Sequence, residues 1–278
     1  MHNLAIRSVS PWHGMASADA ADTFVKAWVS GEQLGADGFP NAPASVDGLY
    51  EIHLAIQQHP LVATSLGGHG GYKLGAIGGA GEPCLYAPLF SKFLVEAPGG
   101  DLSAGGIHLS QIEPEYALLM GSDLPPRSDG RPHSLDEVWA AVHQVVLCVE
   151  ACGKRGTPEA YAASTKLGAF ADTLSSGGVV LGPRLLASTM KPEDVLGATT
   201  LLVNDDLIAE GSGAAVPEGG PAQALTWLAN HLNGRGLGLR QGELVATGQT
   251  CNTKLVKVGD RVRATFGALG SIEMVVAP

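Results

Sequence analysis

The decapeptide Gln111–Met120, QIEPEYALLM, governs the reading of this chain, because it sets two carboxylates, Glu113 and Glu115, inside an apolar run of strand character. On a β-strand, residues i and i+2 share a face and lie about 7 Å apart, so both carboxylates project into one space. Taken alone, a Glu-x-Glu pair more often belongs to an edge strand that faces water. In a buried strand, two like charges side by side need a proton or a cation between them. A hard divalent ion such as Mg²⁺, Mn²⁺ or Ca²⁺ is the usual partner of an all-oxygen site.

Moving toward the C-terminus, Gly121-Ser122-Asp123 and Pro125-Pro126 are turn signals. The capping box Ser134-Leu135-Asp136-Glu137 then starts a helix expected to run to about Val142. Val145 to Val149 is a continuous apolar strand that ends in Glu150, and a carboxylate there asks for a partner. Two readings stand open. Glu150 completes a three-carboxylate metal site with Glu113 and Glu115, or it pairs with nearby Lys154 or Arg155. Toward the N-terminus, residues 67–81 read GGHGGYKLGAIGGAG. No register of this segment gives GxGxxG or GxxxxGK[ST], so a nucleotide site is not supported. Lys73, on a short strand among glycines, is either solvated or projects into a cleft to meet an anionic substrate.

The chain has 278 residues, of which 45% are hydrophobic and 16% charged, enough for one large domain or a core domain with an appendage. A formal net charge of −10 argues against nucleic acid and anionic membrane surfaces as partners. Four irregularly spaced cysteines, Cys84, Cys148, Cys152 and Cys251, fit neither a disulfide framework nor a CxxC zinc site. With no apolar run long enough to span a bilayer and no signal-peptide pattern at the start, a cytoplasmic location is expected.

Residues 1–17 lack periodicity and read as an arm. Helices are expected from Ala18 to Val29 and from Ser45 to about Gln58, with Val46, Leu49, Tyr50, His53 and Leu54 on one face. This makes residues 1–66 a small helical region ahead of a catalytic domain over residues 67–278. Asp172, Thr173, Ser175 and Ser176 form a polar cluster before an apolar strand, a common place for binding groups. Asn204-Asp205-Asp206 signals a hairpin, Pro221 starts an amphipathic helix stopped by Gly234, and Glu243 to Thr247, Arg261 to Phe266 and Ser271 to Val276 read as strands. HExxH and GxSxG are absent.

Several of these segments together resemble the fumarylacetoacetate hydrolase superfamily, in its branch of 2-keto-4-pentenoate hydratases and 4-oxalocrotonate decarboxylases. The resemblance rests on GYKLG (71–75), IEPEYALLMGSDL (112–124), Val149-Glu150, ADTLSSGGVVLG (171–182), GELVATG (242–248) and VKVGDRVRATFGALGSI (256–272). It implies an α+β, β-rich fold, a mixed β-sandwich roll with peripheral helices, and Mg²⁺ or Mn²⁺ on Glu113, Glu115 and Glu150. Lys73 and Asp172 fall on catalytic positions, and Ser175, Ser176, Gln249 and Thr250 on the substrate side. The implied activity is hydration of a small 2-oxo or 2-hydroxy-dienoic acid such as 2-hydroxypenta-2,4-dienoate. A 2-oxo acid decarboxylase, an acylpyruvate-type carbon–carbon hydrolase and a non-catalytic partner subunit remain as alternatives. A homo-oligomer, or association with a related pathway enzyme, is implied as well. The sequence departs from the branch at Pro83-Cys84, at Gly248-Gln249-Thr250-Cys251-Asn252 and at Thr173, all on the substrate side.

Overall fold

The computed structural model describes residues 11–76, 83–97, 104–252 and 255–278. Of the arm expected over residues 1–17, residues 1–10 lie outside the described residues, and the chain is already helical from Pro11. The end of the glycine-dense segment, residues 77–81, and the following Glu82 also lie outside them. The N-terminal helices are α1 (Pro11–Ser30), α2 (Val46–Gln58) and α3 (Pro60–Ser65). Ser45 caps α2 by accepting the Gly48 amide, and α2 buries Leu49, Tyr50, Ile52, His53 and Ile56, so its core face is rotated slightly from the one expected through Val46 and Leu54. Then follow β1 (His69–Ala76), β2 (Cys84–Phe90), β3 (Leu94–Glu96), α4 (Ala104–Ile107) and β4 (Leu109–Met120). The helix after the capping box, α5 (Leu135–Ala140), is shorter than expected, because β5 (Val142–Gly153) begins at once.

Two short helices, α6 (Pro158–Ala163) and α7 (Lys166–Ala171), lead to β6 (Ser176–Leu186). The hairpin of β7 (Ala198–Val203) and β8 (Asp206–Ser212) turns on Asn204 and Asp205, at φ 53° and 70°. Both signs are those of a two-residue type I′ turn, whose twist matches that of paired strands. Helix α8 (Pro221–Asn233) and strands β9 (Leu244–Gln249), β10 (Arg261–Thr265) and β11 (Ser271–Val275) complete the chain.

The strands form a mixed seven-stranded sheet, in the order β2-β1-β9-β4-β5-β6-β3, and a four-stranded antiparallel sheet, β11-β10-β7-β8. Strand alternation divides β4 between two environments. Ile112, Tyr116 and Leu118 enter the main core with Leu147, Val149 and Val180 and with Phe266 and Ile272 of the smaller sheet's end. Tyr116 and Phe266 meet edge to face at 4.9 Å. The odd-numbered side chains of β4 point the other way, toward a small separate cluster of Leu89, Ala117, Val146, Cys148, Val179, Leu181, Leu244 and Ala246. Gly71 is needed where β1 lies against β9: its φ is +140°, and a Cβ there would sit 1.9 Å from the Leu244 carbonyl oxygen.

The N-terminal helices join the same core as the sheet, through Phe24, Val25, Trp28, Leu49 and Ile56. Each such side chain, fully buried, contributes about 1.5–3 kcal/mol. No described helix is long and apolar enough to cross a membrane. All four cysteines are buried and free.

His53 ties α2 to the rest, with Nδ1 3.0 Å from the Tyr86 carbonyl oxygen and Nε2 3.1 Å from that of Phe170. Burial outweighs these two acceptors and pushes its pKa down to about 4. The unfolded chain, with an ordinary histidine near 6.5, binds the proton first, so this group's contribution is fully present above about pH 6.5 and is lost as pH falls toward 4. The loss expected across that window is about 3 kcal/mol at most. Urea unfolding of wild type and His53→Asn between pH 4 and 7 tests this. The variant should lack that part of the slope, and identical slopes would remove His53 as the cause.

Candidate metal centre and cavity

The β4–β5 ladder builds the site. Glu113 lies directly opposite Glu150, Glu115 opposite Cys148, and Gln111 opposite Cys152, all on the sheet face that carries the small cluster. Donor atoms of Glu113, Glu150 and Cys152 lie within 4.8 Å of one another. Glu115 and Glu150 are wholly buried, which excludes the water-facing edge strand. The β4–β9 register is interrupted after Ala246 so that Glu115 pairs with Gln249, and within this bulge the Gly248 amide donates to Glu115 Oε2 at 2.9 Å. Gly248 adopts φ 112°, a conformation that favours glycine. Its role in holding Glu115 is invisible in the sequence, where only a short apolar strand running into a glycine shows.

The partner of Glu150 is neither Lys154 nor Arg155. Lys73 Nζ lies 2.6 Å from Glu150 Oε2, and it also donates to the Leu174 carbonyl at 3.4 Å. Burial alone would lower the lysine pKa, but the carboxylates of Glu150, Glu113 and Glu115 outweigh it and raise it above the ordinary value, so the ammonium is kept charged. Burial, then the charges of Glu150 and Glu113, push the Glu115 carboxyl well up against the opposing pull of Lys73 and the Gly248 amide. Glu150 is raised too, by burial first, with Lys73 opposing. Burial and neighbouring carboxylates likewise raise the Cys148 and Cys152 thiols.

Three carboxylates facing one ammonium carry a formal excess of two negative charges. At 4 Å and an effective dielectric constant near 20, each like-charge contact costs about 4 kcal/mol. Glu115 Oε1 is buried with no hydrogen-bond partner. An orphaned carboxylate oxygen beside two further carboxylates is the donor set of a divalent cation, so the residues present fit such an ion.

Above the carboxylates lies a cavity of about 280 Å³, with Lys73, Gln111, Glu113, Cys152, Ser175 and Gln249 in its polar wall. Leu85, Phe170, Ala215 and Pro217 make the apolar part of its lining. Of the residues expected at the site, Lys73, Glu113, Ser175 and Gln249 reach this cavity, and Glu115 and Glu150 lie buried beneath it. Asp172, Ser176 and Thr250 do not line it. Thr250 fastens β9 to β4, since its amide and hydroxyl both donate to the Pro114 carbonyl at 2.9 and 2.8 Å. The Ser176 carbonyl accepts from Arg155 Nη2 at 2.5 Å.

Asp172 is wholly buried and engaged by Arg155, whose Nε donates to Oδ1 at 2.9 Å and whose backbone amide donates to Oδ2 at 2.8 Å. The Tyr161 hydroxyl donates to the same Oδ2. The Arg155 guanidinium is itself buried, 4.0 Å from the centre of the Trp28 ring, so helix α1 backs this ion pair. Immediately after Asp172, Thr173, Leu174 and Ser175 all have positive φ, 45°, 52° and 58°. Three consecutive left-handed residues without a glycine each cost about 1–3 kcal/mol. The Asp172–Arg155 anchor holds this strained turn, which aims the Leu174 carbonyl at Lys73 and sets Ser175 in the cavity wall.

The chain matches no family model. Over 194 residues it is 28% identical to 2-keto-4-pentenoate hydratase 1 of Dechloromonas aromatica (strain RCB), covering 68% of this chain and 70% of that protein. It is 30% identical over 167 residues to the 2-keto-4-pentenoate hydratase of Paraburkholderia xenovorans (strain LB400), covering 60% of this chain and 58% of that protein. Among solved structures it is similar to the 4-oxalocrotonate decarboxylase from Pseudomonas putida G7 in complex with magnesium and adipate. There the TM-score is 0.77 and the identity 22%, over 96% of this chain and 98% of that one.

Glu115→Gln is expected to weaken divalent-cation binding by about tenfold or more. It should leave the metal-free protein at least as stable, since one buried like charge is removed. Calorimetric titration and melting with and without chelator check both, and unchanged cation affinity would remove Glu115 from the site. Asp172→Asn should instead lower stability by about 3–5 kcal/mol, because it leaves the Arg155 charge buried without its partner. A variant that melts like wild type but has lost turnover would return Asp172 to the catalytic role expected from sequence.

Proposed function

We propose that this chain, which belongs to the fumarylacetoacetate hydrolase superfamily, is a divalent-metal-dependent hydratase of a small 2-hydroxy-dienoic acid such as 2-hydroxypenta-2,4-dienoate. The observation that carries the reading is the Glu113–Glu150 pairing, which gathers three carboxylates and Lys73 at one small, half-apolar cavity. Mg²⁺ or Mn²⁺ on Glu113, Glu115 and Glu150 would draw in the substrate's carboxylate and C2 oxygen and stabilise negative charge developing there.

The chain's own groups supply the rest. Lys73, kept protonated by Glu150, adds positive charge beside the enolate and restrains the metal-side carboxylate. The Ser175 hydroxyl and the Gln249 amide offer hydrogen bonds from the polar wall. Leu85, Phe170 and Pro217 pack the hydrocarbon chain and keep bulk water from it. In the balanced reaction the C2 hydroxyl gives up its proton as the ketone forms and C5 takes one up. Water oxygen then bonds to C4, and a water proton ends on C3. The cavity is smaller than the roughly 300–1,000 Å³ of sites for drug-sized ligands, which suits a short acid. Homo-oligomeric assembly belongs to the same reading and rests on the family likeness.

Incubation with 2-hydroxypenta-2,4-dienoate and Mg²⁺ should consume the dienol and yield 4-hydroxy-2-oxopentanoate, and chelation should stop it. Turnover of acylpyruvates alone, or carbon dioxide release from a 2-oxo-enedioate without hydration, would overturn the choice in favour of a hydrolase or a decarboxylase. No turnover of any of these, with activation of a second enzyme, would identify a partner subunit.

A further inference from the structure

Cys152 stands two residues beyond Glu150 on β5, on the same face, opposite Gln111 and diagonal to Glu113. The β5–β6 register is interrupted between Ala151 and Cys152, and such an irregularity re-aims a side chain. Among the described residues, the cluster able to hold a cation through Glu113 and Glu150 includes the Cys152 sulfur, and Cys152 also lines the cavity. Cys148, on the same strand face, differs: its thiol donates to the Glu115 carbonyl at 3.3 Å, and it packs in the small apolar cluster.

We propose that Cys152 is a metal ligand, so that the site takes borderline-soft divalent ions such as Zn²⁺, Co²⁺ or Fe²⁺ through a thiolate as well as carboxylates. The inference rests on the divalent-metal reading of the site and adds sulfur to its ligands. Hard Mg²⁺ gains little from sulfur, whereas thiolate selects the later transition ions. The same protein therefore accepts two classes of ion through overlapping donors: Mg²⁺ on the carboxylates alone, and the softer ions on Glu113, Glu150 and Cys152. Binding of the second class replaces an S–H bond with a metal–sulfur bond. The proton passes to solvent and no oxidation state changes. Because Cys152 and Glu113 both line the cavity, the softer ion competes there with the substrate's oxygens for coordination positions.

Co²⁺ titrated into chelator-treated protein should produce a thiolate-to-cobalt charge-transfer band in the near ultraviolet. Cys148→Ser should retain the band and Cys152→Ser should lose it. Cys152→Ser should also lower Zn²⁺ affinity by about tenfold or more while changing Mg²⁺ affinity by less than about twofold. Co²⁺ binding without the band in wild type, or a Cys152→Ser variant that keeps the wild-type ratio of Zn²⁺ to Mg²⁺ affinity, would overturn the cysteine ligand and leave the hydratase reading standing. Should Cys152→Ser fail to fold, the wild-type spectrum decides alone. Failure of both Co²⁺ and Mg²⁺ to bind would overturn the metal centre itself.

Discussion

Repulsion among Glu113, Glu115 and Glu150 is the constraint to which the rest of the structure answers. Three carboxylates on the inner face of a sheet, two of them wholly buried, are stable only with positive charge close by, and Lys73 supplies one unit at 2.6 Å from Glu150. A dication supplies the remainder without adding bulk. The same unbalanced charge that makes the metal-free site costly would favour divalent ions over monovalent ones there. The apolar floor of Ala117, Val146, Val179, Leu181 and Ala246 strengthens this, because low polarizability around the carboxylates keeps their field unscreened.

Holding such a cluster requires backbone that ordinary strands do not provide. The bulge in β9 turns the Gly248 amide toward Glu115, and the left-handed run Thr173–Leu174–Ser175 turns a carbonyl toward Lys73. Both features are unfavourable in isolation and persist because their flanks are fixed. Thr250 locks one flank to Pro114, and the buried Arg155–Asp172 pair locks the other. The carboxylate cluster at the cavity thus rests on a second buried ion pair, Arg155–Asp172, as its support.

Much of this was legible in the sequence where local pattern and tertiary role agree. The strands carrying Glu113, Glu115 and Glu150, the capping box at Ser134, the Asn204-Asp205 turn and helix α8 all stand within a few residues of their expected places. Helix α5 stops early because β5 extends to Val142 to pair with Met120, a long-range demand that no local signal carries. Asp172 stands in a polar cluster before a strand and on a catalytic position of the resembled family, while the structure pairs it with Arg155. That partner lies 17 residues away, and in the sequence Arg155 shows only as a near neighbour of Glu150. Likewise Gly248 and Cys152 act through strand register, which a single sequence does not reveal.

Among the described residues, the groups that do not line the cavity bear on the reaction as much as those that do. Splitting a carbon–carbon bond with water needs a base strong enough to make hydroxide, commonly a His-carboxylate pair. Among the described residues two such pairs exist, His69 Nε2 at 3.4 Å from Glu243 Oε1 and His59 Nε2 at 3.4 Å from Asp22 Oδ1. The first lines a different cleft, of about 880 Å³, which shares no lining residue with the cavity of Lys73, and the second does not line that cavity either. Adding water across a conjugated 2-oxo acid makes a smaller demand, because the oxo group already renders C4 electrophilic. What it requires is charge stabilisation at the C2 oxygen and hydrogen-bonding groups to guide water and protons. A cavity lined by an ammonium, a hydroxyl and an amide together with hydrocarbon, set over a carboxylate cluster, supplies those groups, and no imidazole is among its described lining residues.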